Sequence, residues 1–336
     1  MLALAPGGDA VLVAAVTPTQ TIELLRVPLD GSPADKLPGS AINARKRLSM
    51  SADGQRMVWS DCLNRTHLAV VESPRGAPPR MVPLAGGEWN DAQPTAIPGT
   101  RQLLFLSDRI DGIRVWHMDR AQAGPVRRVD SGPHEPVNLA VSPDGSQVAL
   151  AEGVTGLYLA PVTGAAAPRR LIEEAGELHP SFDRTGKTIY FERQEGTRPR
   201  IASIPVAGGQ PTWVLPAGTL APAASPTEDV LAYLVVRDGG TFPMLLDLRS
   251  RRSRPLTDQR TPSAWRQVRF SADGRRVLLV RPTAAIAEVD VATGRILREI
   301  DGGAEAFVGA TFLGDDIIVG LTGWNGDLWT ATLAPP

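Results

Sequence analysis

Apolar positions in this chain fall in short runs, and none recurs at helical spacing over a long window. The runs Val11–Val16, Met57–Ser60, Leu103–Ser107, Val148–Ala151, Ile189–Glu192, Val230–Val235, Val277–Val280 and Ile317–Leu321 are rich in Val, Ile and Leu. Segments of that kind, bounded by Gly, Pro, Asp and Ser, read as β-strands. The longest stretch free of Gly and Pro, 55–73, itself reads as two strands, Arg56–Ser60 and His67–Val71, around a polar turn. Long helices are therefore not expected.

Each run follows an apolar anchor and a tight turn. The pattern appears as Leu4-Ala-Pro-Gly-Gly8, Met50-Ser-Ala-Asp-Gly54, Ala96-Ile-Pro-Gly-Thr100, Val141-Ser-Pro-Asp-Gly145, Phe182-Asp-Arg-Thr-Gly186, Ala224-Ser-Pro-Thr-Glu228, Phe270-Ser-Ala-Asp-Gly274 and a degenerate Phe312-Leu-Gly314. Pro presets φ in such turns, while Asp and Gly tolerate left-handed geometry. The turns step along the chain by about 44 residues. A third strand of the type Ile22–Leu29 recurs as Ile201–Val206, Ile286–Val291 and Leu328–Leu333. A second turn (Asp30-Gly31, Gly208-Gly209, Thr293-Gly294) and a weaker fourth strand complete the unit.

Four strands per unit of about 40–45 residues is the plan of a β-propeller blade. The expected fold is all-β: one propeller domain over residues 1–336, with eight four-stranded blades, or seven as the alternative. The eighth unit stops after its third strand, so ring closure is incomplete at the termini. Either the last blade has three strands or residues ahead of Met1 supply the fourth. The second is favoured, which would make this chain the C-terminal part of a longer protein.

Ser142-Pro-Asp-Gly145 and Ser107-Asp-Arg-Ile-Asp-Gly112 resemble the PD40 or TolB-like family of WD40-like propeller repeats, whose units carry a Ser-Pro-Asp-Gly turn and a Ser-Asp-Arg-Asp-Gly loop. Here the loop has one inserted residue. The Gly-His and Trp-Asp signatures of eukaryotic WD40 repeats are absent. The resemblance extends over essentially the whole chain and implies the fold. It does not specify a function, because scaffolds, sensors and gating domains all use it. The bacterial extracytoplasmic side is the expected location, although Met1–Asp9 lacks the basic start of a signal peptide.

Composition narrows the function by exclusion. Gly (33) and Pro (30) make up about a fifth of the chain, short of the ~25–30% that accompanies disorder. A net charge of −1 lacks the basic excess of a nucleic-acid binder. The single Cys62 excludes an internal disulfide and a cysteine zinc cluster. His67, His117, His134 and His179 have no ligand spacing, so neither metal nor cofactor is expected. No Gly-x-Ser-x-Gly elbow and no Gly-rich loop opening a helix occurs. An enzyme is not expected.

Two candidate sites remain. Stepping back three residues from the anchor gives Arg47, Gln93, Asn138, His179, Ala221 and Gln267, a mostly polar ring at the channel mouth. It suits a small ligand, a peptide end or an ion, or simply a water-filled polar channel. The loops 40–46, 86–92, 194–200, 237–242, 258–264 and 322–325 vary and share one face, and Trp89, Trp265 and Trp324 lie in or beside them. Variable loops carrying aromatic anchors suit partner binding, unless the tryptophans plug gaps between blades. Arginines at the fourth strands (Arg80, Arg127-Arg128, Arg169-Arg170, Arg251-Arg252 with Arg254, Arg298) protect outer edges from aggregation. The expectation is a monomeric, non-enzymatic binding or sensory module for a protein or peptide, appended to a bacterial receptor-like kinase or transmembrane regulator. The alternatives are the gating propeller of a prolyl-oligopeptidase-like hydrolase lacking its catalytic domain and a free-standing TolB-like envelope scaffold.

Overall fold

A computed structural model of the chain describes residues 2–4, 8–16, 22–36, 47–51, 56–73, 78–84, 89–110, 112–121, 125–129, 135–152, 155–173, 176–196, 198–259, 263–282 and 285–332. Among them every regular element is a strand, and no helix is long and apolar enough to cross a membrane. The chain divides into two compact units, Met1–Arg65 with Gly323–Pro336, and Thr66–Thr322.

In the first unit, β1 (Leu2–Leu4), β2 (Ala10–Val16), β3 (Ile22–Pro28) and β4 (Asp35–Lys36) form one antiparallel sheet in chain order. β5 (Arg47–Met50) pairs with the start of β6 (Arg56–Glu72), Met50 opposite Met57. β7 (Arg80–Pro83) pairs with the end of β6, Glu72 opposite Arg80, inside the second unit.

The second unit holds five complete blades. They are β8 (Asp91–Ala96), β9 (Gln102–Ser107), β10 (Arg114–Asp119) and β11 (Arg127–Val129); β12 (Asn138–Val141), β13 (Gln147–Glu152), β14 (Gly156–Pro161) and β15 (Arg169–Ile172); β16 (Glu177–Phe182), β17 (Thr188–Glu195), β18 (Arg198–Pro205) and β19 (Thr212–Trp213); β20 (Thr219–Ala224), β21 (Val230–Arg237), β22 (Gly240–Asp247) and β23 (Ser253–Pro255); and β24 (Gln267–Phe270), β25 (Arg276–Arg281), β26 (Ala285–Asp290) and β27 (Ile296–Asp301). A sixth blade is assembled from both ends of the unit: β28 (Ala306–Leu313), the first part of β29 (Asp316–Thr332), the last part of β6, and β7.

Turn chemistry sets each blade's register. In five of the six the anchor faces the first residue of the apolar run, Ala96–Leu103, Val141–Val148, Phe182–Ile189, Phe270–Val277 and Phe312–Ile317, and in the sixth, Ala224–Leu231, it faces the second. The Ser142 hydroxyl donates to Asp144 and accepts from the Gln147 amide, while Gly145 takes φ +72°. Such a turn closes locally, with no help from the rest of the fold.

The blades close into a ring of six. The inner strands β8, β12, β16, β20, β24 and β28 touch in sequence, and β28 returns to β8. One apolar cluster fills each seam. Leu104 and Leu106 meet Leu139, Val148 and Leu150; Ala149 and Leu159 meet Phe182, Ile189 and Phe191; Ile201 meets Leu231 and Tyr233. Leu234 and Leu245 meet Val277 and Leu279; Leu278 and Ile286 meet Phe312 and Val319; Leu68, Leu313 and Ile318 meet Leu103, Phe105 and Trp116.

The described residues form seven sheets rather than the eight expected from the repeats, and six of them close into this ring. The two strands expected within 56–71 are one continuous strand, β6, and those expected within 317–333 are one, β29. Neighbouring strands satisfy each other's backbone groups, so neither polar stretch has to turn. The fourth strand missing from the eighth repeat is supplied by β7. Most of the expected edge arginines lie on outer strands, Arg80 on β7, Arg127 and Arg128 on β11, Arg169 and Arg170 on β15, Arg254 on β23 and Arg298 on β27, while Arg251 and Arg252 lie just ahead of β23.

Candidate functional site

Around the axis of the ring, the position three residues before each anchor is occupied by Gln93, Asn138, His179, Ala221, Gln267 and Gly309. The last replaces the expected Arg47, which lies on β5 in the other unit, its side chain outside the described residues. Gln93, His179 and Ala221 have φ of 51°, 49° and 51°. Each precedes a proline, and the ladder slips there in β8, β16 and β20, as it does in β28 at Gly309. A Cβ on Gly309 would stand 3.0 Å from Gln93 Oε1.

These bulges aim backbone amides at the neighbouring blade, and the polar side chains receive them. Asn138 Oδ1 accepts from the His179 amide at 3.3 Å, and Gln267 Oε1 accepts from the Ala310 amide at 3.0 Å. Glu192 accepts from the Ala221 amide at 3.1 Å and lies 2.9 Å from His179 Nδ1. Gln267 Nε2 donates to Gln93 Oε1 at 3.3 Å. The polar ring thus joins blades to one another, since buried amides without partners would be costly.

Further along the axis, at the end marked by the first-to-second turns, lies a cavity of about 400 Å³. All six inner strands line it. The layer one residue before the anchors consists of Thr95, Ala140, Ser181, Ala223, Arg269 and Thr311. Five are small; the sixth is arginine. Arg269 Nη1 donates to the Val268 carbonyl at 3.1 Å, and no carboxylate pairs with it among the described residues. Desolvation lowers its pKa to about 10, which keeps it cationic at neutral pH.

The other charged groups at the cavity are already engaged. Asp183 accepts from the Thr185 hydroxyl and from the Lys187 and Thr188 amides. Arg184 pairs with Asp229 at 2.6 Å. The Ser181 hydroxyl accepts from the Ala224 amide at 2.9 Å, and that of Ser271 is held by Asp273 and the Arg276 backbone. No group of three or more His, Cys, Asp or Glu among the described residues is placed to hold a metal ion.

Of the expected anchors, the two tryptophans in the second unit, Trp89 and Trp265, do not form one exposed surface. Trp89, at the entry end of β8, is 47% exposed. Trp265 is 5% exposed, packed among Leu220, Val268 and Leu279 with its Nε1 donating to Gln259. It fills a seam, contrary to the expected anchor role. Trp324 falls on β29 in the other unit, with its side chain outside the described residues. His134 lies outside the described residues. His117 sits on β10, where burial, reinforced by Arg127, lowers its pKa. Arg269 stands outside the positions the sequence pattern points to. Its signal was present, as the one large cation at a register position that is otherwise small.

The turns around the cavity mouth carry an acid-sensitive element. Serine hydroxyls, then backbone amides, hold Asp144 and Asp273 below the usual carboxylate value of 3.8. A carboxylate lowered in the folded state contributes stability above its unfolded pKa and loses it as pH falls through the folded one. The melting temperature should therefore lose this contribution below about pH 4. A Ser142→Ala, Ser271→Ala double variant should show a shallower acid slope in a series of thermal melts.

No protein-family model and no curated protein matches this chain. Solved structures match its fold. A protein described as a TolB from Agrobacterium tumefaciens is 15% identical with a TM-score of 0.62, the match covering 78% of this chain and 99% of that one. The fold is a β-propeller. A structure of a nidogen/laminin complex is 11% identical, TM-score 0.55, over 70% of this chain and 93% of that one. A gluconolactonase from Xanthomonas campestris is 13% identical, TM-score 0.55, over 79% and 97%. Each covers a share of this propeller chain close to the size of the six-bladed unit, about three quarters.

Proposed function

We propose that this propeller is a non-enzymatic binding or sensory module whose partner is a protein or peptide, serving a larger regulator such as a receptor-like kinase on the extracytoplasmic side of a bacterial cell. The observation that carries this is the axial cavity. Every blade of the ring lines it, and among the described residues no imidazole, thiol or amine does so; its one carboxylate, Asp183, is held by its own turn, and Arg184 at the rim is paired with Asp229 of the neighbouring blade's turn. Such a site can hold a ligand but has no base with which to activate a nucleophile. That one structure of this fold is a nidogen/laminin complex fits a protein partner. A hydrolytic role has only the fold-level analogy of the gluconolactonase.

Partner capture on the immobilised chain, followed by affinity measurements, tests the proposal. Ala272→Trp places bulk at the exposed rim of the cavity and should weaken binding about thirtyfold, the effect of a hot-spot residue. Trp89→Ala reports whether the partner also reaches the opposite face. Unchanged affinity in both variants, or lactone or peptide turnover that survives repurification, overturns the proposal.

A further inference from the structure

We infer that the axial cavity receives a carboxylate, with Arg269 as its counter-ion. The inference rests on reading this unit as a binding propeller and names the chemistry of its ligand. Five of six blades present Thr, Ala or Ser at this register position, and β24 alone projects a guanidinium into the space they leave. An uncompensated cation in apolar surroundings is unfavourable, and an arginine as enclosed as the half-buried Arg269 is normally paired. Among the described residues Arg109 pairs with Asp91 at 2.6 Å and Arg276 and Arg298 both pair with Glu288, whereas the half-buried Arg281 stacks on Trp265 with its Nε unpartnered. Among the described residues, Arg269 has only a backbone carbonyl. The carboxylate that balances it is therefore supplied from outside the described chain.

The rest of the lining selects among anions. Leu139, Val141, Phe182, Phe270 and Phe312 line the same cavity with apolar surface. A single planar fork suits the two oxygens of a monoanionic carboxylate. A dianionic phosphate would leave one charge unbalanced in the same surroundings. An apolar body carrying one carboxylate fits, and it comes from either of two sources: the C-terminus of a peptide, or a free short-chain carboxylic acid.

The experiment uses the full chain and two matched probe sets. One is a pool of tetrapeptides ending in an apolar residue, prepared with free and with amidated C-termini; the other is propionate and butyrate against their amides. Binding is read by saturation-transfer NMR and by thermal shift. The free acids should bind about tenfold or more tightly than the amides, as loss of a charge-assisted hydrogen-bonded pair implies. Arg269→Gln should abolish that preference while leaving the melting temperature unchanged or raised, because an unpaired charge has been removed. Arg269→Lys should retain part of the preference.

Equal binding of acids and amides, or of neither, overturns the inference without reference to any variant. So does an acid preference that persists in Arg269→Gln. Peptides that bind whether or not the terminus is free would overturn it while sparing the proposed function. Propionate and butyrate binding without any peptide binding would support the carboxylate and instead overturn the peptide partner.

Discussion

A chain cut to residues 66–322 is expected to fold and melt in one cooperative transition, whereas one cut to residues 84–322 is expected to fail to fold. The difference is the last part of β6 and β7, which complete the sixth blade. Leu68 and Val70 face the seam with Leu103 and Phe105, and Ala69 and Val71 face the seam with Leu278 and Ile286. Removing them opens both seams at once. Burying a Leu or Val side chain contributes about 1.5–3 kcal/mol. Loss of these three, with exposure of Leu313, Ile318, Val319 and Leu321 opposite them, approaches the whole of a domain's roughly 5–15 kcal/mol. The strand pairing of 316–322 would also be left with an open edge, favouring aggregation. Circular dichroism, calorimetry and size exclusion of the two chains decide the matter. A well-folded 84–322 would show that the ring does not close through β6 and β7.

Phe105→Ala is the point substitution with the largest expected effect, about 3–5 kcal/mol of lost stability. Phe105 is fully buried in the closing seam against Leu68, Val70, Trp116 and Ile318. Its ring also lies 5.4 Å from the Arg109 guanidinium, which pairs with Asp91 at the start of β8. The substitution thus removes apolar volume from the seam and a face from the cation. The melting temperature should fall by something on the order of 10 °C. Trp89→Ala, which empties no core, should stay within about 0.5 kcal/mol of the parent. A denaturant titration comparing the two separates a seam residue from a surface one. A Phe105→Ala chain as stable as the Trp89→Ala chain would contradict the described packing.

The sequence by itself determined what is settled within a few residues. Ser142, Asp144 and Gly145 close their turn through bonds inside a six-residue segment, so the strand–turn–strand unit is readable wherever its pattern recurs. The same holds for Ser271 and Asp273. Everything that depended on a partner far along the chain was decided by tertiary structure. The polar stretch Asp61-Cys62-Leu63-Asn64-Arg65 has the composition of a turn, yet it lies within β6, whose neighbour β29 comes from the other end of the chain. That one pairing changes the count from eight repeats to a ring of six. Trp265 and Trp89 both lie shortly before an inner strand, but only the first meets a seam and is buried. Arg269 is an ordinary polar residue in a strand until five other blades set small side chains around it. Turn hydrogen bonds are local, so composition encodes them. Strand continuity, burial and the absence of a counter-charge are properties of neighbours, and only the closed ring specifies which neighbours those are.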